Sequence, residues 1–171
     1  KSLRSGKEPD LLAPLQVTTD VNLGVPALLP EDYCPDVHER LSLYKRFAGT
    51  SDFSELMGLR EELVDRFGDL PDPAKSFYET HRLRLEMSGF GIKKIDAGAS
   101  AIQLTFIPNP PIDPLRIIQL VQSNKQVLLN GQDRLKVLPQ KAGDFDKLEQ
   151  RLDQIRRLLK HLNASATLAS A

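Results

Sequence analysis

Cysteine, net charge and long apolar runs are all scarce in this chain of 171 residues. Cys34 is the only cysteine, so neither an internal disulfide nor a multi-cysteine zinc site can form, and we expect a reducing cytoplasm as the compartment. The 23 lysines and arginines equal the 23 aspartates and glutamates. Because no net field draws the chain towards phosphates or an anionic membrane, its composition argues against direct DNA binding.

The apolar stretches are too short to cross a bilayer. The longest, at residues 25–30 and 101–108, fall far short of the roughly 20 residues that a spanning helix needs. The polar start KSLRSGKEPD also lacks the apolar centre of a secretion signal. With 40% hydrophobic and 27% charged residues, the composition is that of a globular domain. We expect one monomeric domain at residues 15–162, with a linker from an upstream domain at 1–14 and a flexible tail at 163–171.

Capping residues and the helical spacing of apolar residues predict five helices. They cover residues 36–48, 51 or 54–67, 72–89, 113–122 and 144–163. Val37 and Leu41 belong to the apolar stripe of the first helix, and Leu115 and Ile118 to that of the fourth. Asp72 is the predicted N-cap of the third helix, because proline at the next position suits the first helical residue.

Four β-prone runs are separated by turn residues. IKKID and AIQLTFI flank the turn AGAS, while QVLL and RLKVL flank NGQD, and Asn-Gly between two such runs is a strong hairpin signal. Residues 15–23 are predicted to form an extended edge segment. The expected fold class is therefore α+β, with helices around a small, largely antiparallel sheet in a single domain.

The ordinary catalytic motifs are absent from the sequence. It contains no GxxxxGK[ST], no GxGxxG after a strand, no HExxH and no GxSxG. The histidines at positions 38, 81 and 161 lie on three different predicted helices, without a metal-ligand pattern. No neighbouring base or charge lowers the thiol pKa of Cys34. We therefore expect no catalytic, cofactor or metal site in this chain.

The second predicted helix has an acidic outer face. If Leu56 defines zero on a helical wheel, Leu63 falls within about 60° of it, whereas Glu62 and Asp65 fall near about 240° and 180°. Such a face is often only a solvated surface. Two carboxylates three residues apart would also suit a partner that presents arginines.

Two long runs carry a resemblance to a known family. LLPEDYCPDVHERLSLYKRFA and the later ELMGLREELVDRFGDLPDPAKSF resemble the C-terminal domain of the bacterial transcription-repair coupling factors, the Mfd family. The resemblance extends over residues 17–162. It implies that the start of the chain is the end of a translocase segment in a longer protein.

The resemblance implies a regulatory protein-interaction domain without a catalytic site. In this family the parent protein is an ATP-driven DNA translocase that displaces stalled RNA polymerase and recruits UvrA. Its last domain docks on an N-terminal UvrB-like module and masks the UvrA-binding surface until polymerase is engaged. The positions that match the family's docking helix are Glu62 and Asp65, which are therefore the expected partner-binding residues.

Two other function classes compete with this one. An accessory nucleic-acid-binding domain would use Lys93, Lys94 and the basic end of the last helix, and phosphate contacts would then make its affinity strongly dependent on salt. A small enzyme would need a catalytic constellation, for which the sequence offers no motif.

Overall fold

The first half of the fold is helical, and the second half is built on a sheet. The fold is described from a computed structural model for residues 19–170, with side chains as far as residue 163. The predicted linker at residues 1–14 lies outside the described residues, as do the first four residues of the predicted extended segment 15–23.

Five helices occur in the described residues. They are α1 (Val37–Ala48), α2 (Phe53–Phe67), α3 (Asp72–Glu86), α4 (Pro114–Ser123) and α5 (Leu148–Ser170). Asp36 caps α1 by accepting hydrogen bonds from two backbone N–H groups of its first turn, and Asp113 caps α4 in the same way with one. Asp113 is the cap that the sequence predicts, and Asp36 lies at the predicted start of the first helix.

Five strands form one mixed sheet. They are β1 (Asp20–Asn22), β2 (Ile92–Ala97), β3 (Ile102–Phe106), β4 (Val127–Leu129) and β5 (Arg134–Val137). Their order across the sheet is β1-β2-β3-β5-β4; β1 runs parallel to β2, and the other three pairings are antiparallel. The predicted fold class, an α+β domain with a largely antiparallel sheet, is confirmed.

The starts of two helices differ from the sequence prediction by a few residues. Asp52 caps α2 in place of Ser51 or Ser54, because its carboxylate accepts a hydrogen bond of 2.8 Å from a backbone N–H of the first turn. Pro71 occupies the cap position of α3, so the predicted cap Asp72 is already helical and makes no capping hydrogen bond.

The ends of α3 and α5 also differ from the prediction. Helix α3 stops at Glu86, before the predicted stop at Gly89. Helix α5 begins at Leu148, after the predicted start at Asp144. The Asp144 carboxylate accepts a hydrogen bond from the backbone N–H of Lys141 in the preceding turn. The backbone stays helical to Ser170, beyond the predicted end at residue 163 and into the predicted tail, where alanines favour a helix.

Helix α3 contributes to both hydrophobic cores. Its first half joins the helical core with α1 and α2, and Leu83 packs instead in the core between the sheet and α5. Two residues of the stripe predicted for α1 face solvent: Val37 and Leu41 are about half exposed, while Leu43 and Phe47 are buried. Apolar residues on more than one side of a short helix leave the choice of face to its tertiary partners.

The fourth helix shows the same rotation. Leu115 and Ile118, on its predicted stripe, are exposed, whereas Leu120 is buried against the sheet core. The sequence therefore predicted where α4 lies along the chain but not which side of it faces inward.

Candidate interaction surface

Helix α2 buries one side and exposes an acidic side. Leu56 and Leu63 are at most 1% exposed, whereas Glu61 and Asp65 are exposed. The orientation predicted from the helical wheel is thus confirmed for the apolar stripe. Whether the acidic side binds a partner stays a prediction.

Glu62 lies at the edge of this face in an ion-pair network between α1 and α2. Arg46 donates two parallel hydrogen bonds, from Nη1 to Oε2 and from Nη2 to Oε1 of Glu62, each of 2.8 Å. Arg66 lies one helical turn after Glu62 and donates from Nη1 to Oε2 at 3.3 Å. The other end of the Arg66 guanidinium pairs with Glu39 on α1. Two arginines and two glutamates therefore form a locally neutral network.

The network keeps the Glu62 carboxylate ionised. Hydrogen bonding from Arg46 lowers the pKa of Glu62, and the contacts of Arg66 lower it further. The same pair raises the pKa of Arg46. The Glu62 side chain is 33% exposed, so part of it remains accessible to a partner.

Asp65 is in a different environment from Glu62. It is exposed, and its carboxylate has no ion-pair partner in the part of the chain whose side chains are described. The two residues that the sequence predicts as one docking pair therefore differ in their surroundings. Arginines compensate the charge of Glu62, whereas Asp65 is exposed to solvent.

Sequence reasoning did not predict the ion pairs of Glu62 with Arg46 and Arg66, or that of Arg66 with Glu39. The spacing of Glu62 and Arg66 by four residues is a signal that could have been used, because such residues are neighbours on a helix surface. Nothing in the sequence shows that Arg46 faces Glu62, since their contact depends on how α1 and α2 cross.

The end of α2 is held in place by an aromatic side chain. The hydroxyl of Tyr33 donates to the carbonyl oxygen of Gly68 at 2.7 Å and lies 3.2 Å from that of Leu63. The Tyr33 ring also packs on Phe67, with 5.6 Å between ring centroids. These contacts fix the turn that carries Asp65.

Carboxylates within the domain neutralise part of the positive charge that was proposed for nucleic-acid contact. Lys94 lies 3.7 Å from the carboxylate of Asp96, and Lys93 is exposed on the same strand. On α5, Arg157 pairs with an aspartate of its own helix. Arg156 pairs with Glu79 and Glu86 of α3 at 2.9 and 3.0 Å, so it joins α5 to α3.

The other chemically active side chains are dispersed. His81 packs between the rings of Phe47 and Phe77, and burial, aided by Arg84, lowers its pKa to about 4. Cys34 is buried, and burial raises its pKa. Among the residues that the structure describes, no three His, Cys, Asp or Glu side chains lie together as a group that could hold a metal ion. No helix among them is long and apolar enough to span a membrane.

Comparison with known proteins shows which family the chain belongs to. A family model of the TRCF domain matches residues 23–117, which include the first three helices and the β2–β3 hairpin. The chain belongs to the TRCF domain family. The resemblance to the C-terminal domain of transcription-repair coupling factors is thereby confirmed.

The individual relatives that this TRCF domain matches are much longer proteins. The transcription-repair-coupling factor of Escherichia coli is 35% identical over 166 residues, which are 96% of this chain and 14% of that protein. That of Haemophilus influenzae is 37% identical over 159 residues, 92% of this chain and again 14% of the relative. The chain thus spans about a seventh of the length of these relatives.

A solved structure supports the fold of the TRCF domain. The crystal structure of a C-terminal domain of transcription-repair coupling factor matches with a TM-score of 0.67 and 20% sequence identity. The match covers 87% of this chain and 96% of that one.

Proposed function

We propose that this domain keeps a transcription-repair coupling factor autoinhibited by docking on its N-terminal UvrB-like module, where it covers the surface that binds UvrA. The observation that carries the proposal is the exposed Asp65 beside the ionised Glu62 on a helix anchored by its other side. These are the two positions that match the docking helix of the family.

Arginines on the partner suit this surface best. A guanidinium can donate two parallel hydrogen bonds to one carboxylate, which fixes orientation as well as charge. Asp65 is exposed and has no ion-pair partner among residues 19–163, and the core behind α2 holds its backbone in place. The domain itself carries out no chemistry in this proposal; it acts by occupying a surface.

The parent protein supplies the activity that is regulated. It is proposed to be a cytoplasmic, ATP-driven DNA translocase that displaces stalled RNA polymerase, and the engaged polymerase shifts the domain to its undocked state. Release then exposes the UvrA site. The domain contacts UvrA and polymerase only indirectly, through the parent.

Reversing both charges in the full-length factor tests the proposal. With Glu62→Lys and Asp65→Lys, like charges face the basic partner, and loss of desolvated charge pairs can cost about 2–5 kcal/mol. Each 1.4 kcal/mol raises the open fraction about tenfold while it is small. The double variant should capture purified UvrA without polymerase.

The matched control reverses one charge on another element. Glu149 is exposed in the first turn of α5, so Glu149→Lys should leave UvrA capture low. Equally low capture by wild type and by a folded double variant would show that Glu62 and Asp65 are ordinary surface charges.

A further inference from the structure

The Glu62 carboxylate is largely occupied before any partner arrives. An ionised carboxylate offers about four lone-pair sites. Arg46 uses one on each oxygen, and Arg66 uses another on Oε2. One site therefore remains, on Oε1, and it cannot accept both hydrogen bonds of an incoming guanidinium.

A partner arginine must therefore compete with Arg46 for Glu62. The two guanidinium groups seek the same two oxygens in the same geometry, and both cannot hold them at once. Asp65 poses no such conflict, because its carboxylate is exposed and has no ion-pair partner among residues 19–163.

We propose that Arg46 attenuates docking by holding Glu62 in an internal ion pair that the partner's arginine has to displace. Removing Arg46 then strengthens docking instead of weakening it. This inference rests on the proposed function and adds a regulatory residue to the same surface.

The charge balance of the surface supports the same direction. Glu39, Glu62, Arg46 and Arg66 sum to zero, so the network adds no net attraction for a basic partner. Loss of Arg46 leaves one uncompensated negative charge beside Asp65. The effect should shrink between about 0.1 and 1 M salt, as the Debye length falls from about 10 Å to about 3 Å.

A suppressor experiment in the full-length factor tests this inference. Asp65→Asn should weaken docking and raise the capture of purified UvrA in the absence of polymerase. Adding Arg46→Met to that variant should lower capture again, by about two- to fivefold, which is the range that one exposed ion pair supports.

The matched control is Lys45→Met in the same background. Lys45 and Arg46 both lie in the last turn of α1 and both lose a favourable interaction with the helix dipole when neutralised. Lys45 has no ion pair with Glu62, so Lys45→Met should leave capture unchanged. With Glu62→Gln also present, Arg46→Met should have a smaller effect, because no ionised carboxylate is left for Arg46 to occupy.

Misfolding cannot imitate the expected result, because an unfolded domain would release the UvrA site and raise capture. If Arg46→Met unfolds the domain, Arg46→Lys provides a milder test: it keeps the charge, loses the paired hydrogen bonds and should lower capture by a smaller factor.

The outcomes separate this inference from the function on which it rests. If Asp65→Asn raises capture but neither folded Arg46 variant lowers it, or Lys45→Met lowers it equally, the role of Arg46 is overturned and the docking proposal stands. If neither Asp65→Asn nor the double charge reversal changes capture, the docking proposal fails, and the inference fails with it.

Discussion

Replacing Leu63 with alanine tests the orientation of α2, on which the placement of the acidic face depends. Leu63 is 1% exposed and packs in the helical core with residues of α1 and α3. Truncation of a buried leucine to alanine removes its packing contacts and leaves a cavity, at a cost of about 2–5 kcal/mol. Domains of this size are stable by only about 5–15 kcal/mol. The variant should therefore lose a large share of its free energy of unfolding.

Urea unfolding of the purified chain, followed by circular dichroism, measures the loss. The midpoint should fall while the slope stays the same, because the surface exposed on unfolding hardly changes. In a thermal melt, about 2–4 °C per kcal/mol for a chain of this length corresponds to a drop of about 4–20 °C.

Met57→Ala is the control, because Met57 lies on the same helix and is 56% exposed. Its unfolding free energy should stay within about 0.5 kcal/mol of the wild type. If Leu63→Ala were as stable as Met57→Ala, the helix would be rotated from the described orientation, and Asp65 would lose its position on the solvent face.

Two further predictions concern stability. His81 has a pKa of about 4 in the folded chain, below its ordinary value of 6.5. Between these two pH values the unfolded chain therefore binds more protons than the folded chain. The contribution of His81 to the free energy of unfolding is full above pH 6.5 and is lost as the pH falls towards 4. The free energy of unfolding, measured at a series of pH values between 6.5 and 4, should fall less steeply for His81→Leu than for the wild type. Equal slopes for the two proteins would contradict a buried, neutral histidine. Gly24→Ala should destabilise more than Gly89→Ala in urea unfolding. Both glycines have positive φ, but only at Gly24 would an added Cβ clash with a neighbour, because it would lie 2.6 Å from the backbone carbonyl oxygen of Ala97. Equal losses of unfolding free energy in the two variants would contradict this contact.

Local signals in the sequence were enough to predict the fold class. Asp113 caps α4 as expected, and Asp36 lies at the predicted start of α1. The alternation of Ile102, Leu104 and Phe106 gives the buried side of β3. These features depend only on neighbours in the chain.

Helix rotation needed information that the sequence does not display. The apolar residues of α1 spread over an arc of about 160° on a helical wheel. Val37 and Leu41 at one end of this arc therefore formed as plausible a stripe as Leu43 and Phe47 at the other end. The structure resolves the choice through Phe77 of α3, whose ring packs edge-on against Phe47 at 5.0 Å.

The sequence was enough to predict which side of α2 carries the acidic residues. It was not enough to predict the ion pairs that these residues make. The wheel placed Asp65 on the solvent side because the leucines of α2 define an unambiguous apolar stripe. It could not show that Glu62 is compensated, because Arg46 comes from another helix, 16 residues earlier. Pairs across a helix crossing are set by tertiary geometry, which one sequence alone does not contain.

If the domain docks as proposed, an internally compensated Glu62 would make the docked state easier to release. Moving a two-state equilibrium from 1:99 to 99:1 takes about 5.5 kcal/mol of differential binding. Breaking one buried, hydrogen-bonded charge pair at an interface can cost about 2–5 kcal/mol, so two such pairs could approach or exceed that amount. If Arg46 offsets the contribution of Glu62, Asp65 carries most of the specific attraction. The proposed docked state then stays within the range that one binding event can reverse.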